Sequence, residues 1–204
     1  MHKEVLTPKQ QKLLPAVKIF AKNFYLAGGT AIALHLGHRH SIDFDLFTDK
    51  KFGNLKIKNQ LASLIKIDKT LINDLDEYTV VAAGVKFTFL YYPFGVKAKE
   101  KFETIITLPD LLTLAAMKAY TLSRRAKWKD YVDLYFIIKD HYPIKKITAR
   151  AQDIFGKEFN EKNFRASLSY FKDVNHSEQV EFLKGMIVAD KKIKEYLIQV
   201  SLSL

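Results

Sequence analysis

Two short motifs joined by one amphipathic segment constrain this 204-residue chain more than any other feature of its sequence. The first motif, LAGGT, occupies residues 26–30, and the second, SIDFDLF, occupies residues 41–47. The apolar residues before the glycine pair predict a buried strand that enters a tight turn. Residues 31–36 then predict a short helix, so the order is strand, Gly-Gly-Thr, helix, strand.

The glycine pair and the threonine predict a phosphate-binding turn. Gly28 and Gly29 have no Cβ, so they can adopt positive φ and let a phosphate approach backbone N–H groups closely. Thr30 offers a hydroxyl at the start of a helix whose N-terminus favours anions. An ordinary turn is the alternative interpretation of a Gly-Gly pair considered alone.

The second motif predicts a metal site. Asp43 and Asp45 alternate with apolar residues, so on a strand both carboxylates point to one face. Two adjacent carboxylates repel each other unless they are solvated, protonated or bridged by a cation. Hard oxygen ligands suit Mg²⁺ or Mn²⁺, which hold nucleoside triphosphates through their phosphate oxygens. The alternative for an Asp-x-Asp pair alone is a solvated strand end.

A second group of charges is expected on two later helices. Lys118 lies on an otherwise apolar helical stripe, and Arg125 follows two turns later. Asp130 and Asp133 are three residues apart on the next predicted helix, so their side chains are neighbours. Two interpretations stay open: the cations bind one polyanion, or the four residues form a structural ion-pair cluster between packed helices.

The periodicity changes along the chain from mixed to helical. After a leading helix over residues 7–22, it predicts a helix at 55–65 and strands at 67–72, 78–83 and 85–92. From residue 108 onward the predicted segments are helical: 109–123, 128–140, 147–155, 162–171, 179–186 and 191–200. The first half is therefore expected to be α/β and the second half α-helical.

Two blocks of the sequence resemble the AbiEii/AbiGii toxin family: LAGGTAIALHLGHRHSIDFDLF at 26–47 and RAKWKDYVDLY at 125–135. That family belongs to abortive-infection and type IV toxin–antitoxin systems, within the DNA polymerase beta-like nucleotidyltransferase superfamily. The resemblance implies an α+β fold, with a mixed sheet flanked by helices in residues 1–100. A C-terminal helical bundle in residues 101–204 would contribute a lysine and an aspartate to the cleft.

The resemblance also implies roles for single residues. Gly28, Gly29 and Thr30 match the nucleotide-phosphate motif, Asp43 and Asp45 the metal motif, and Lys118 a lysine that binds phosphates of the incoming nucleotide.

The last aspartate of the family matches Asp130 best, because that residue directly follows a basic one, and Asp133 stays an alternative. This aspartate either orients Lys118 or acts as a base toward the acceptor hydroxyl. Arg39 and Arg125 are further candidates for phosphate binding. His35, His38 and His40 are expected to be structural rather than zinc ligands.

The sequence departs from the superfamily pattern at one point. Many polymerase beta-like enzymes place a third carboxylate on a later strand, whereas residues 85–90, VKFTFL, contain none. Either the site works with two metal carboxylates, or the enzyme is impaired.

Net charge and composition limit the kinds of partner and metal site that the protein can have. The formal net charge of +11 favours a polyanion, and the chain has no cysteine, which excludes disulfides and thiolate zinc sites. The polar N-terminus and the lack of a long apolar run predict a cytoplasmic protein without a membrane partner.

The function expected from the resemblance is a metal-dependent toxin that transfers a nucleoside monophosphate from an NTP to an acceptor. A tRNA 3′ end is the first expected acceptor, a protein hydroxyl the second, and an antitoxin protein a further partner. Two alternatives are a non-catalytic RNA-binding or regulatory protein on the same scaffold, and an NTP-dependent phosphotransferase.

Overall fold

A five-stranded mixed sheet forms the first half of the protein. In this computed structural model, which describes residues 1–203, its strands are β1 (Tyr25–Ala27), β2 (Asp43–Thr48), β3 (Ile67–Asn73), β4 (Glu77–Ala82) and β5 (Val85–Tyr91). They lie in the order β1-β2-β5-β4-β3, and β2 and β5 are parallel while the other neighbours are antiparallel. The predicted α+β class is confirmed, and β5 lies at the centre of the sheet beside β2.

Four helices accompany this sheet: α1 (Pro8–Lys12), α2 (Leu14–Lys18), α3 (Gly28–Leu36) and α4 (Asn54–Ala62). The single leading helix predicted over residues 7–22 is wrong, because it is split at Leu13. Pro15 has no N–H to continue the helical ladder, so the chain begins a new helix there. Thr7 caps α1: its side chain accepts from the Gln10 N–H, and the Gln10 side chain accepts from the Thr7 N–H.

A short hairpin separates the sheet from the helical half. Its strands, β6 (Glu100–Phe102) and β7 (Ile106–Leu108), pair with each other, and β7 contacts β1. The sequence does not predict this hairpin, because a strand of three residues is too short to show an alternating pattern.

Five helices form the second half: α5 (Leu111–Leu122), α6 (Trp128–Asp140), α7 (Ile144–Phe155), α8 (Glu161–Ser169) and α9 (Asp190–Leu202). The sequence predicts each of them to within a few residues. The core is continuous across both halves, and α3 of the first half packs against α5 and α6. Within residues 1–203, no helix combines the length and the apolar character that crossing a bilayer requires.

The helix predicted at residues 179–186 is wrong. Residues 173–189, which we call the strap, are irregular and lie across the other elements. At one end, the Trp128 N–H donates to the Asn175 carbonyl at 3.0 Å. At the other end, the His40 N–H donates to the Glu181 carbonyl at 2.8 Å, and the Leu183 N–H donates to the His38 carbonyl at 3.0 Å. The backbone groups of the strap are thus used by tertiary partners instead of by a helix.

A buried ion pair joins the two halves. The Arg39 guanidinium, just after α3, makes two hydrogen bonds to the Asp133 carboxylate of α6, from Nε at 2.8 Å and from Nη2 at 2.9 Å. His38 Nε2 lies 2.8 Å from the same carboxylate, and Lys118 Nζ lies 3.2 Å from it. The four side chains are buried.

The protonation states follow from this geometry. Burial opposes the ionised form of Asp133, but Arg39 and Lys118 outweigh burial and hold the pKa of that carboxyl well below its usual range. Burial lowers the pKa of His38. His38 is therefore neutral at pH 7 and donates from Nε2 to the ionised Asp133.

We expect Asp133→Asn to destabilise the protein strongly. The substitution removes the negative charge but leaves the buried Arg39 guanidinium without its counter-ion, which costs about 3–5 kcal/mol of unfolding free energy. Urea unfolding followed by circular dichroism measures this change.

Asp140→Asn is the matched control, because Asp140 ends the same helix and forms only an exposed pair with Lys139. It should change the unfolding free energy by less than about 1 kcal/mol. Equal stability of the two variants would contradict a joining role for Asp133.

Candidate active site

A cavity of about 390 Å³ lies where β2, the N-terminus of α3, α5 and the start of α6 meet. Its volume is in the range of small-molecule sites. Charged side chains of both signs line it, among them Asp43, Asp45, Asp130, Lys86, Lys118 and Arg125. The cavity thus collects charged residues from both halves of the chain.

The alternation along β2 points both aspartates of the second motif into this cavity. Phe44 and Leu46 are buried on the opposite face of the strand, whereas Asp43 and Asp45 are only partly buried. Burial and the nearby Asp43 carboxylate raise the pKa of Asp45, while Lys86, Lys118 and Arg125 oppose that rise. The two carboxylates therefore share a face and repel each other, as the alternation predicts.

The glycine pair is required by close packing against side chains. Gly28 has φ +66°, and a Cβ there would lie 1.9 Å from Asp45 Oδ2. A Cβ at Gly29 would lie 2.7 Å from Arg39 Nη2. Both glycines also line the cavity, at the start of α3, which no side chain caps. The N-terminal N–H groups of α3 are therefore directed toward the same cavity as the carboxylates.

Thr30 and Arg39 have structural partners. The Thr30 hydroxyl is buried, bonds the Ser41 hydroxyl at 2.8 Å and donates to the Asp43 carbonyl. It thereby fixes the start of β2 relative to α3. Arg39 lines the cavity, but its side chain is 2% exposed and its guanidinium is paired with Asp133. No sequence pattern predicts that Thr30 bonds Ser41 or that Arg39 pairs with Asp133.

Lys118 of α5 lies between the two aspartates of α6. Its Nζ is 2.6 Å from Asp130 Oδ1 and 3.2 Å from Asp133 Oδ2. Burial opposes its charge, but Asp130 and Asp133 outweigh burial and raise the pKa of Lys118, so it stays protonated. Asp130 lines the cavity, and its buried second oxygen, Oδ2, lacks a hydrogen bond within residues 1–203.

Arg125 is more exposed, and its Nε lies 3.7 Å from Asp130 Oδ2. The helix α5 ends at Leu122, so Arg125 reaches the cavity from the connecting segment and not from the face of Lys118.

Two further residues at the cavity have no signal in the sequence. Lys86 of β5 lies opposite Asp43 in the register, and its Nζ is 2.7 Å from Asp43 Oδ2. Glu178 of the strap accepts from Lys127 Nζ at 2.8 Å and lies 3.2 Å from Lys129 Nζ. These two lysines outweigh partial burial and lower the pKa of Glu178 to about 2. Only tertiary structure brings these partners together.

The donor set at Asp43 and Asp45 suits one hard divalent cation. Their two carboxylates share one face, and burial together with the Asp43 carboxylate raises the pKa of Asp45. A bound cation would reduce the repulsion between the two carboxylates. Within residues 1–203, no group of three or more His, Cys, Asp or Glu side chains is placed to hold a metal ion.

The three histidines of the first block have other partners. His35 Nε2 lies 3.0 Å from the Pro109 carbonyl, His38 contacts Asp133, and His40 Nδ1 lies 3.1 Å from the Val5 carbonyl.

Solved structures share this fold. The MenT4 nucleotidyltransferase toxin of Mycobacterium tuberculosis H37Rv is similar with a TM-score of 0.62 and 11% identity, over 95% of this chain and 80% of that chain. JHP933 of Helicobacter pylori is similar with a TM-score of 0.54 and 20% identity, over 94% of this chain and 88% of that chain. Identities this low establish the architecture alone.

Sequence comparison identifies the family. The family model described as the nucleotidyl transferase AbiEii toxin of a type IV toxin–antitoxin system matches residues 12–103, which include both motifs of the first block. An uncharacterized protein of Aquifex aeolicus (strain VF5) is 31% identical over 193 residues, which cover 86% of this chain and 88% of that protein. The chain therefore belongs to the AbiEii nucleotidyltransferase toxin family, and it is a nucleotidyltransferase.

Proposed function

We propose that this protein transfers a nucleoside monophosphate from an NTP to an acceptor hydroxyl in a reaction that depends on a divalent cation. One observation carries the proposal: a single cavity brings Asp43 and Asp45 together with Lys118, Asp130 and the uncapped N-terminus of α3. Carboxylates for a cation and donors for phosphates are the two requirements of this chemistry.

The positive groups of the cavity bind the triphosphate. Lys118 supplies a fixed ammonium, and the N–H groups of Gly28 and Gly29 supply donors at a helix N-terminus. Arg125 adds a guanidinium at the wall of the cavity. The acceptor hydroxyl then releases its proton to solvent and its oxygen bonds to the α-phosphorus. The bond from that phosphorus to the β-phosphate oxygen breaks, and pyrophosphate leaves.

Asp130 serves in this proposal to orient Lys118. The 2.6 Å contact fixes the ammonium at the cavity wall and helps to keep it charged. Asp133 shares the lysine, but two hydrogen bonds already commit it to Arg39. This difference favours Asp130 as the functional aspartate and Asp133 as the structural one.

Asp43 and Asp45 would hold Mg²⁺ or Mn²⁺. When bound, the cation neutralises phosphate charge and stabilises the leaving pyrophosphate. The chain itself contributes the two carboxylates on one strand face and the Gly28 backbone against which Asp45 packs.

A polyanionic acceptor fits the net charge of +11 and the lysines Lys127 and Lys129 that line the cavity. We propose the 3′ end of tRNA as the acceptor and a cognate antitoxin protein as the partner that restrains the activity in the cytoplasm. The family supports the antitoxin.

A labelling assay tests the reaction class. Purified protein with Mg²⁺, total RNA and α-labelled NTPs should transfer label, whereas γ-labelled NTPs should transfer none, because the γ-phosphate leaves with pyrophosphate. Label from the γ position would show a kinase, and RNA binding without label would show a non-catalytic scaffold.

We expect Asp43→Asn and Lys118→Met to reduce transfer at least about 100-fold, because each removes charge that contacts the nucleotide or its cation. Asp74→Asn and Lys162→Met, at exposed positions, are the matched controls and should keep the full rate. A wild-type rate in a clean preparation of either cavity variant would refute the site.

The acceptor is tested with tRNA oxidised by periodate, which destroys the terminal ribose hydroxyls. Intact tRNA should accept the α-label, and oxidised tRNA should accept none, as read on a denaturing gel. Label that resists ribonuclease and is lost on protease treatment would identify a protein hydroxyl as the acceptor instead.

The raised pKa of Asp45 predicts that protons compete with the cation. The cation binds the ionised carboxylate, so the apparent dissociation constant for Mn²⁺ should rise as the pH falls toward and below the raised pKa of Asp45. Mn²⁺ titration followed by electron paramagnetic resonance measures this constant. A constant independent of pH would contradict Asp45 as a ligand.

A further inference from the structure

Lys86 lies on the strand beside the two aspartates of the candidate metal site. The strand β5 runs parallel to β2, and the register sets Lys86 opposite Asp43 and Thr88 opposite Asp45. All four side chains line the cavity. The neighbouring strand therefore presents an ammonium and a hydroxyl to the metal carboxylates, and no acidic group.

The lysine contacts the carboxylate directly. Lys86 Nζ lies 2.7 Å from Asp43 Oδ2, which is the distance of a charge-assisted hydrogen bond. Two-metal sites place their cations about 3.5–4 Å apart and bridge them by shared carboxylates. With one Asp43 oxygen bound to an ammonium, a second divalent cation on that side would lose a ligand and meet a positive charge.

The net charge of the site stays the same when a lysine replaces one carboxylate and one divalent cation. Three carboxylates with two divalent cations carry a net charge of +1. Asp43, Asp45, Lys86 and one divalent cation carry the same net charge. One lysine can thus replace a carboxylate and a cation together without changing the net charge of the site.

We propose that Lys86 takes the place of the second divalent cation, so that the active site holds one cation between Asp43 and Asp45. Lys86 is then a positioning residue: its ammonium fixes Asp43 Oδ2, and its charge supplies the positive field that the second cation would provide. This inference rests on the proposed nucleotidyl transfer, and it adds how the site works without a third carboxylate.

Electron paramagnetic resonance of Mn²⁺ tests the number of cations. The full chain is saturated with Mn²⁺ in the presence of inorganic tripolyphosphate, which supplies the phosphates without a base. The wild type should give the spectrum of one isolated ion. Lys86→Asp should give the exchange-coupled spectrum of a cation pair. A coupled pair in the wild type, or no bound Mn²⁺, would overturn the inference.

Lys86→Met separates the role of the charge from a structural role. Loss of a neighbouring positive charge should tighten Mn²⁺ binding by about tenfold, whereas the rate of label transfer should fall by at least about tenfold. Damage to the fold would weaken both. Lys86→Arg should keep one isolated Mn²⁺ and recover part of the rate.

The control is Lys69→Met, at an exposed position on the edge strand β3, which should change neither quantity. Thermal melting checks that each variant is folded, and Lys86→Glu replaces Lys86→Asp if that variant melts early. Unchanged Mn²⁺ affinity and rate in Lys86→Met would overturn the inference. Absence of α-label transfer by the wild type would instead refute the proposed function, while the Mn²⁺ spectra would still report on Lys86.

Discussion

The two hydrogen bonds between the Arg39 guanidinium and the Asp133 carboxylate are the interaction on which the rest of the site depends. They connect the segment before β2 with α6, and both partners are buried. Charges removed from water in this way are stable only when their partners stay in place. The pair therefore fixes the position of α6, and with it Asp130, relative to β2 and its two aspartates.

The same pair explains the second glycine of the first motif. The guanidinium reaches Asp133 by crossing the start of α3, where a Cβ at Gly29 would meet it at 2.7 Å. At Gly28, the constraint is Asp45 Oδ2 together with a positive φ. The glycines thus serve the packing of an arginine and an aspartate, and the N–H groups of α3 become accessible as a consequence.

Regular periodicity made much of the fold predictable. Strands β3, β4 and β5 and helices α5 and α6 are long enough to show alternation or helical spacing, and the sequence places them well. The three-residue strands of the hairpin and the irregular strap carry no such pattern. The strap is held by backbone bonds to His38, His40 and Trp128, and tertiary bonds of this kind leave no trace in local spacing.

The candidate site likewise has a part that the sequence predicts and a part that depends on tertiary structure. Asp43 and Asp45 share a face because of alternation within one strand, so their convergence could be predicted. The contacts of Lys86 with Asp43 and of Glu178 with Lys127 depend on strand order and on the path of the strap. Motif resemblance brings Lys118 and the two aspartates of α6 into one site. It does not decide which aspartate is structural.

Helix geometry gives Asp130 and Asp133 different partners. The two residues are about one turn apart, so both reach Lys118, but only Asp133 also faces Arg39. The lysine is therefore tied to the buried ion pair through Asp133 and to the cavity through Asp130. A change in the interface between the halves must move the Lys118 ammonium that lines the cavity. The buried ion pair and the charge at the cavity wall are thus coupled through one side chain, Lys118.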